Sequence, residues 1–187
     1  MQDSNLHTDG ELIEKEKTNM RGYANLSRIE SRIRYNPMET AALIGSNGDV
    51  LFDKSDGIAD AVYFTAEETK MMVDGTLTHN HPGGTTFCKA DVDLAVSRGL
   101  RSIRAVYSGG SYELKRQYNI GDSVPYSYFR FAEDYDSAVN KYMKGTVDKI
   151  WNDTCDAVRC NNMVAEFRRQ WLKNNSSNYG WSYKESN

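Results

Sequence analysis

The segment THNHPGG at residues 78–84, followed by Asp91, says most about the fold of this chain. Its two histidines, His79 and His81, are one residue apart, so on an extended strand they project from the same face. The proline lacks a backbone N–H and the two glycines favour unusual dihedral angles. The sequence therefore predicts a strand that ends here and turns, with two imidazoles presented together.

Two imidazoles on one face can bind a single metal ion, with Zn–N distances of about 2.0–2.1 Å. The sequence from Cys88 to Asp91 is typical of a helix start with an acidic residue in its first turn. Such a turn can bring Asp91 back over the histidines as a third ligand. Three protein ligands and a water are typical of catalytic zinc sites, whereas structural sites usually have four protein ligands.

The size and composition of the chain exclude several classes of protein. A chain of 187 residues can bury one core, with room for an appended subdomain. The net charge of −3 argues against a nucleic-acid surface spread over the whole chain. No apolar run approaches the roughly 20 residues of a membrane span, and no secretory signal is evident. The 3 scattered cysteines favour a reducing compartment, so we expect a cytoplasmic protein without disulfides or a membrane partner.

Hydrophobic spacing predicts the order of the elements. Leu26, Ile29 and Ile33 predict a short amphipathic helix that ends before Pro37, after a polar arm at residues 1–20. The later elements predicted are a hairpin over 40–52 turning at Asn47-Gly48, a strand at 61–64, a helix at 66–73 capped by Thr65, a helix at 90–100, and a hairpin of strands 103–107 and 112–116. This order predicts an α/β fold in which a mixed β-sheet packs with helices.

The character of the sequence changes after about residue 119. Residues 128–173 are compatible with two or three helices, broken near Gly145 and near residues 160–162, and residues 174–187 are polar with interspersed aromatics. We therefore divide the chain into a polar arm at 1–20, a metal-binding core at 21–118 and a helical, aromatic-rich extension at 119–187. The basic residues of the extension are expected to form a solvated helix face: Arg159, Arg168, Arg169 and Lys173.

The site pattern resembles that of a known family. H-x-H-P at residues 79–82, five residues, and C-x-x-D at residues 88–91, with a glutamate upstream, resemble the signature of JAMM metalloenzymes, also called MPN or JAB domains. They also resemble the HNHP motif of RadC-like proteins. The resemblance covers about residues 25–116 and is closest to divergent JAB-like domains attached to bacterial and phage proteins. It implies an MPN/JAB core of the cytidine-deaminase-like type, and a bacterial or phage-encoded origin.

The resemblance also implies roles for individual residues. His79, His81 and Asp91 would bind zinc, with a water in the fourth position, and an upstream glutamate would act as general base and then as acid toward the leaving amine. Glu39, at the start of the first predicted strand, matches the place of the family's glutamate. Glu30 is the second candidate, although it falls on the predicted helix, where a solvated role is expected.

One position departs from the family pattern. The family's serine, which helps to stabilise the oxyanion, is Cys88 in this chain. A thiol is a weaker hydrogen-bond donor than a hydroxyl, so hydrolysis would be slower or absent. Alternatively, Cys88 binds the metal as a fourth ligand and closes the site, or is simply a small buried residue.

The expected activity is zinc-dependent hydrolysis of amide or isopeptide bonds in a peptide or protein substrate. One alternative is a catalytically weak or inactive JAB-like interaction module, whose C-terminal helices bind a protein partner. The other is a RadC-like, DNA-associated protein, which the acidic charge balance disfavours.

Overall fold

The computed structural model describes residues 9–187. Within that range the α-helices are α1 Asp9–Ile33, α2 Ala66–Met71, α3 Lys89–Ser97, α4 Ser127–Tyr142, α5 Asp148–Thr154 and α6 Ala157–Asn175. The strands are β1 Ala41–Ile44, β2 Val50–Lys54, β3 Thr76–Asn80, β4 Ser102–Tyr107, β5 Gly110–Arg116 and β6 Trp181–Ser186. A π-helical turn, Met143–Val147, joins α4 to α5, and a 3-10 turn, Ser176–Tyr179, follows α6. No helix in the described part of the chain is long and apolar enough to cross a membrane.

The strands form one mixed sheet in the order β2-β1-β3-β4-β5-β6. Strands β3 and β4 are parallel, and every other neighbouring pair is antiparallel. A parallel pair needs a crossover connection, and α3 supplies it between β3 and β4. The chain is therefore an α/β protein with a mixed six-stranded sheet, which confirms the class predicted from the sequence.

Helices cover both faces of this sheet. On one face, Ile29 and Ile33 of α1 pack against Ala42 and Val106. On the other face, α3, α4 and α6 pack over the sheet and enclose the larger core, which includes Leu77, Phe87, Val92, Ile103, Phe131, Tyr135, Leu172 and Trp181. His79 belongs to β3, between these two layers, and is 3% exposed.

Several local predictions are confirmed. The chain turns at Asn47-Gly48 between β1 and β2, with Gly48 at a φ of 83°. Thr65 caps α2, because its side chain accepts a hydrogen bond from the Glu68 N–H while the Glu68 carboxylate accepts one from the Thr65 N–H.

Two predictions in the N-terminal half are wrong. The helix expected to begin near Leu26 begins at Asp9, so residues 9–20 of the predicted arm are helical, while residues 1–8 lie outside the described range. Residues 61–64 form no regular strand. Their apolar side chains Val62 and Phe64 pack against the large core without joining the sheet, because burial alone does not require strand pairing.

The C-terminal residues differ from the prediction in two ways. A π-helical turn, Met143–Val147, lies at the break predicted near Gly145. The second break lies at Cys155 and Asp156, where Cys155 adopts a φ of 50°, and residues 160–162 lie inside α6. Residues 181–186 form the edge strand β6, which pairs antiparallel with β5 so that Trp181 lies opposite Arg116. The region predicted as a helical extension at 119–187 thus also contributes a strand to the sheet and side chains to the large core.

Candidate metal centre

The register between β1 and β3 brings Glu39 to the histidines. Ala41 pairs with His79 across this antiparallel ladder, and the same register, continued outward, sets Glu39 opposite His81. Because strand side chains alternate between faces, all four side chains project from one side of the sheet. One ligand atom each from Glu39, His79 and His81 lie within 4.8 Å of one another.

The turn after β3 fixes the His81 ring. Nδ1 of His81 lies 2.6 Å from the Thr85 carbonyl oxygen, which can only accept, so Nδ1 carries the proton. Burial and the neighbouring charge of His79 lower the pKa of His81 to about 4, so the ring is neutral near pH 7. In that tautomer Nε2 offers its lone pair to the site, as a metal ligand requires.

His79 lies deeper in the same site. Its Nε2 is 2.8 Å from Nε2 of His81 and 3.3 Å from Oδ1 of Asp91. Burial opposes a charged ring, but the Asp91 and Glu39 carboxylates outweigh it and raise the pKa of His79. Its Nδ1 is buried and forms no hydrogen bond of normal geometry, although the backbone of Arg104 lies close enough to favour the protonated ring.

The predicted helix start does bring Asp91 back over the histidines. Asp91 is the third residue of α3, and its Oδ2 accepts a hydrogen bond of 2.7 Å from the Cys88 backbone N–H. The same oxygen is 3.9 Å from Nε2 of His81. Burial favours the neutral acid, but the hydrogen bond and charge of His79 hold the pKa of Asp91 well below its usual range. The carboxylate is therefore ionised and faces both rings.

Glu39 has the opposite electrostatic character. It is half-buried, and burial raises the pKa of its carboxyl, an effect that His79 opposes and Asp91 reinforces. A carboxyl with a raised pKa exchanges a proton more readily near neutral pH than an ordinary glutamate. Glu39 therefore places a carboxyl with a raised pKa among the ligand atoms of the two histidines, whereas the Asp91 carboxylate stays ionised beside both rings.

The Cys88 thiol is a protonated neighbour of the site. Burial and the Asp91 carboxylate raise the pKa of this thiol to about 11. Metals bind the thiolate, so the electrostatics of the metal-free site disfavour Cys88 as a ligand. The thiol lines the same cavity as the histidines.

Glu30 lies elsewhere. The sequence suggested a solvated side chain, but Glu30 is 7% exposed and lies on the opposite face of the sheet. It accepts hydrogen bonds from the Thr78 hydroxyl and from the Arg104 guanidinium. Thr78 precedes His79 on β3 and so points away from the histidines. The structure therefore does not bring this second candidate base to the site.

A cavity of about 910 Å³ opens onto the four site residues. Its floor includes Ala41 and Leu77 of the sheet. One wall is formed by α3 through Ala90 and Leu94, and the other by the irregular segment 59–64. The cavity is large enough for a short stretch of peptide chain.

Arg168 also lines this cavity, which the sequence prediction missed. It was expected on a solvated helix face, but it is half-buried and its Nε is fully enclosed. The signal was available, because Arg168 is spaced by four and three residues from Val164 and Trp171, which pack on the core.

The Glu39, His79 and His81 side chains could hold a metal ion. The set combines two imidazole nitrogens with carboxylate oxygens, which are the ligands of catalytic zinc sites. The two histidines would present their Nε2 atoms to such an ion. No protein-family model, curated protein or solved structure matches this chain.

Proposed function

We propose that this protein is a zinc-dependent hydrolase of amide or isopeptide bonds, with a JAMM-like site on an MPN/JAB-like core. One observation carries the proposal. The β1–β3 register sets Glu39 beside His79 and His81 on one sheet face, and the first turn of α3 sets Asp91 over both rings. A base, three ligands and a cavity of about 910 Å³ thus meet at one point.

The role of each residue in this proposal follows from its electrostatics. His79, His81 and Asp91 would hold zinc, which when bound lowers the pKa of its water toward about 7 and polarises the scissile carbonyl. The Thr85 carbonyl keeps His81 in the tautomer that presents Nε2. The Cys88 N–H orients the Asp91 carboxylate from the helix start.

Glu39 would move the proton. Its carboxylate takes a proton from the attacking water and then delivers it to the nitrogen of the leaving amine. Burial raises the pKa of Glu39, which brings the carboxyl closer to the value at which both transfers are efficient. The half-buried position also leaves Glu39 open to the cavity in which the substrate would lie.

The test separates ligand from base by substituting each carboxylate. Glu39→Gln should keep stoichiometric zinc and lower peptide or isopeptide cleavage by at least about 100-fold, the scale of general-base catalysis. Asp91→Asn should lower zinc affinity by about 100-fold or more, because it removes a charged ligand. Asp93→Asn, an exposed acid on the same helix, should change neither quantity.

The readouts are zinc content of the purified protein and cleavage of a peptide and isopeptide panel. If Glu39→Gln lost zinc and Asp91→Asn kept it, Glu39 would be the ligand and Asp91 the base. Absence of zinc from the unsubstituted protein, after purification without chelators at neutral pH, would reject the metalloenzyme proposal.

A second candidate, a catalytically weak interaction module, is favoured by Cys88. Its protonated thiol is a poor donor where the family pattern has a serine hydroxyl. If the enzyme is impaired only at this position, Cys88→Ser should raise the cleavage rate while zinc content stays unchanged. Stoichiometric zinc with no cleavage by either protein would favour the interaction module.

A further inference from the structure

Arg168 is a half-buried cation on α6. Among the described residues it forms no ion pair, and its enclosed Nε has no hydrogen-bond acceptor. The next residue, Arg169, contrasts with it, because Arg169 pairs with Glu166 at 2.5 Å and with Glu185 at 3.8 Å. Buried polar atoms in proteins nearly always have partners, so an unpartnered guanidinium nitrogen needs an explanation.

The position of Arg168 gives that explanation. Phe167 and Trp171 of α6 pack on the core, which directs the intervening Arg168 side chain inward to the cavity that holds His81 and Thr86. The nearby Tyr135 hydroxyl donates its proton to the Phe87 carbonyl at 2.6 Å, and in the described part of the chain its oxygen accepts no hydrogen bond from Arg168 Nε.

We propose that Arg168 binds a carboxylate of the substrate and so selects substrates that carry an anionic group beside the scissile bond. A guanidinium matches a carboxylate with two parallel N–H donors, and enclosure strengthens this interaction relative to water. This inference rests on the proposed function, because the cavity is the same. The carboxylate belongs either to the chain terminus of the substrate or to an acidic side chain near the cleaved bond.

Three zinc-binding probes separate these sources. Each is a succinyl hydroxamate extended by a dipeptide: Gly-Gly ending in a carboxamide, Gly-Gly ending in a free carboxylate, and Gly-Asp ending in a carboxamide. Isothermal titration of the zinc-loaded protein gives the affinity of each. We expect one of the two anionic probes to bind about 10-fold or more tightly than the neutral probe, the scale of a charge-assisted hydrogen bond.

The variants assign the gain to one side chain. Arg168→Gln should remove the higher affinity for the anionic probe and leave the affinity for the neutral probe unchanged. Arg168→Lys should restore part of the higher affinity for the anionic probe. Arg169→Gln is the matched surface control and should behave as the unsubstituted protein. Thermal unfolding of each variant verifies that it is folded. A gain that persists in Arg168→Gln, or that disappears instead in the other cavity arginine variant, Arg98→Gln, overturns the proposal.

The outcomes for the two proposals are distinct. Binding of the neutral probe with no gain for either anionic probe overturns the role of Arg168 and leaves the zinc site intact. If the protein binds no zinc, the hydrolase proposal fails, and the metal-free protein is titrated with succinate while the Arg168 Nε–H resonance is followed by NMR. A saturable shift of that resonance supports the anion site, and no shift overturns it.

Discussion

The imidazoles of His79 and His81 face each other with their Nε2 atoms 2.8 Å apart. At that distance only one of the two Nε2 atoms can carry a proton. In the metal-free protein the two rings therefore share one proton between these atoms. Burial and mutual repulsion lower the pKa of His81 to about 4, while the carboxylates raise the pKa of His79 above the ordinary value of a histidine. The two rings therefore protonate in separate steps.

This separation predicts how zinc affinity depends on pH. Zinc must displace the proton of His79 at any pH below the raised pKa of that ring, whereas His81 is already neutral down to about pH 4. We expect the affinity to fall about tenfold for each pH unit between about 6.5 and 5, which corresponds to one proton. Competition with a chelator of known zinc affinity measures the slope.

Glu39→Gln is the control for the pH experiment, because Glu39 is assigned as the base and not as a ligand. The slope of zinc affinity against pH in this variant should match that of the unsubstituted protein over the same pH range. A slope of two protons would mean that both rings are charged in the metal-free protein, which contradicts the burial of His81.

The ion pair beneath the sheet predicts a large effect on stability. Arg104 donates to Glu30 at 2.6 Å and 3.1 Å, and the Thr78 hydroxyl adds a third hydrogen bond. Glu30→Ala leaves the largely buried guanidinium with the Glu113 carboxylate at 3.4 Å and the Ser111 hydroxyl at 3.5 Å. We expect a loss of about 3 kcal/mol in the free energy of unfolding, measured with urea on the metal-free protein.

The exposed pair Glu14–Lys17 supplies the control. Glu14→Ala should cost less than about 0.5 kcal/mol, since both side chains are largely in solvent. Zinc stoichiometry should be unchanged in Glu30→Ala, because this side chain lies on the sheet face opposite the histidines. Equal losses of unfolding free energy in the two variants would show that Glu30 does not stabilise the buried Arg104 guanidinium.

The three cysteines should differ in reactivity. Cys155 is exposed, Cys160 is buried, and the pKa of Cys88 is raised to about 11. At pH 8 the thiolate fraction of Cys88 is then about 100-fold below that of an ordinary thiol. In the metal-free protein, iodoacetamide should therefore modify Cys155 first, as followed by peptide mass spectrometry. Equal rates in urea are the control, and rapid labelling of native Cys88 would contradict its burial.

The part of the site that sequence reasoning located is the part set by local periodicity. The alternation of side chains on β3 was sufficient to predict that His79 and His81 share a face. The cap at the start of α3 was sufficient to predict the return of Asp91. Glu39 was chosen because its place before the first strand matches that of the glutamate in the family that the site pattern resembles, and the β1–β3 register that sets it opposite His81 was not predicted.

The parts that were missed depend on contacts between distant segments. Strand β6 forms because residues 181–186 pair with β5, and its alternating polar sequence alone gave no strand prediction. Val62 and Phe64 are apolar because they pack on the core, so composition suggested a strand at 61–64 that does not form. Arg168 was assigned to solvent by its charge, although its spacing from Val164 and Trp171 pointed inward.

The attachment of β6 gives the last prediction. Gly180 immediately precedes β6 with a φ of 78°, and its carbonyl accepts from the Gln117 N–H. A Cβ at this position would lie 2.1 Å from Cε2 of Tyr118, whose ring packs on the core. Gly57 has a similar φ of 73° but open space around it. We expect Gly180→Ala to cost about 3 kcal/mol, from strain and overpacking together, and Gly57→Ala about 1 kcal/mol, from strain alone. Urea unfolding compares the two, and equal costs would show that the Tyr118 ring moves aside freely.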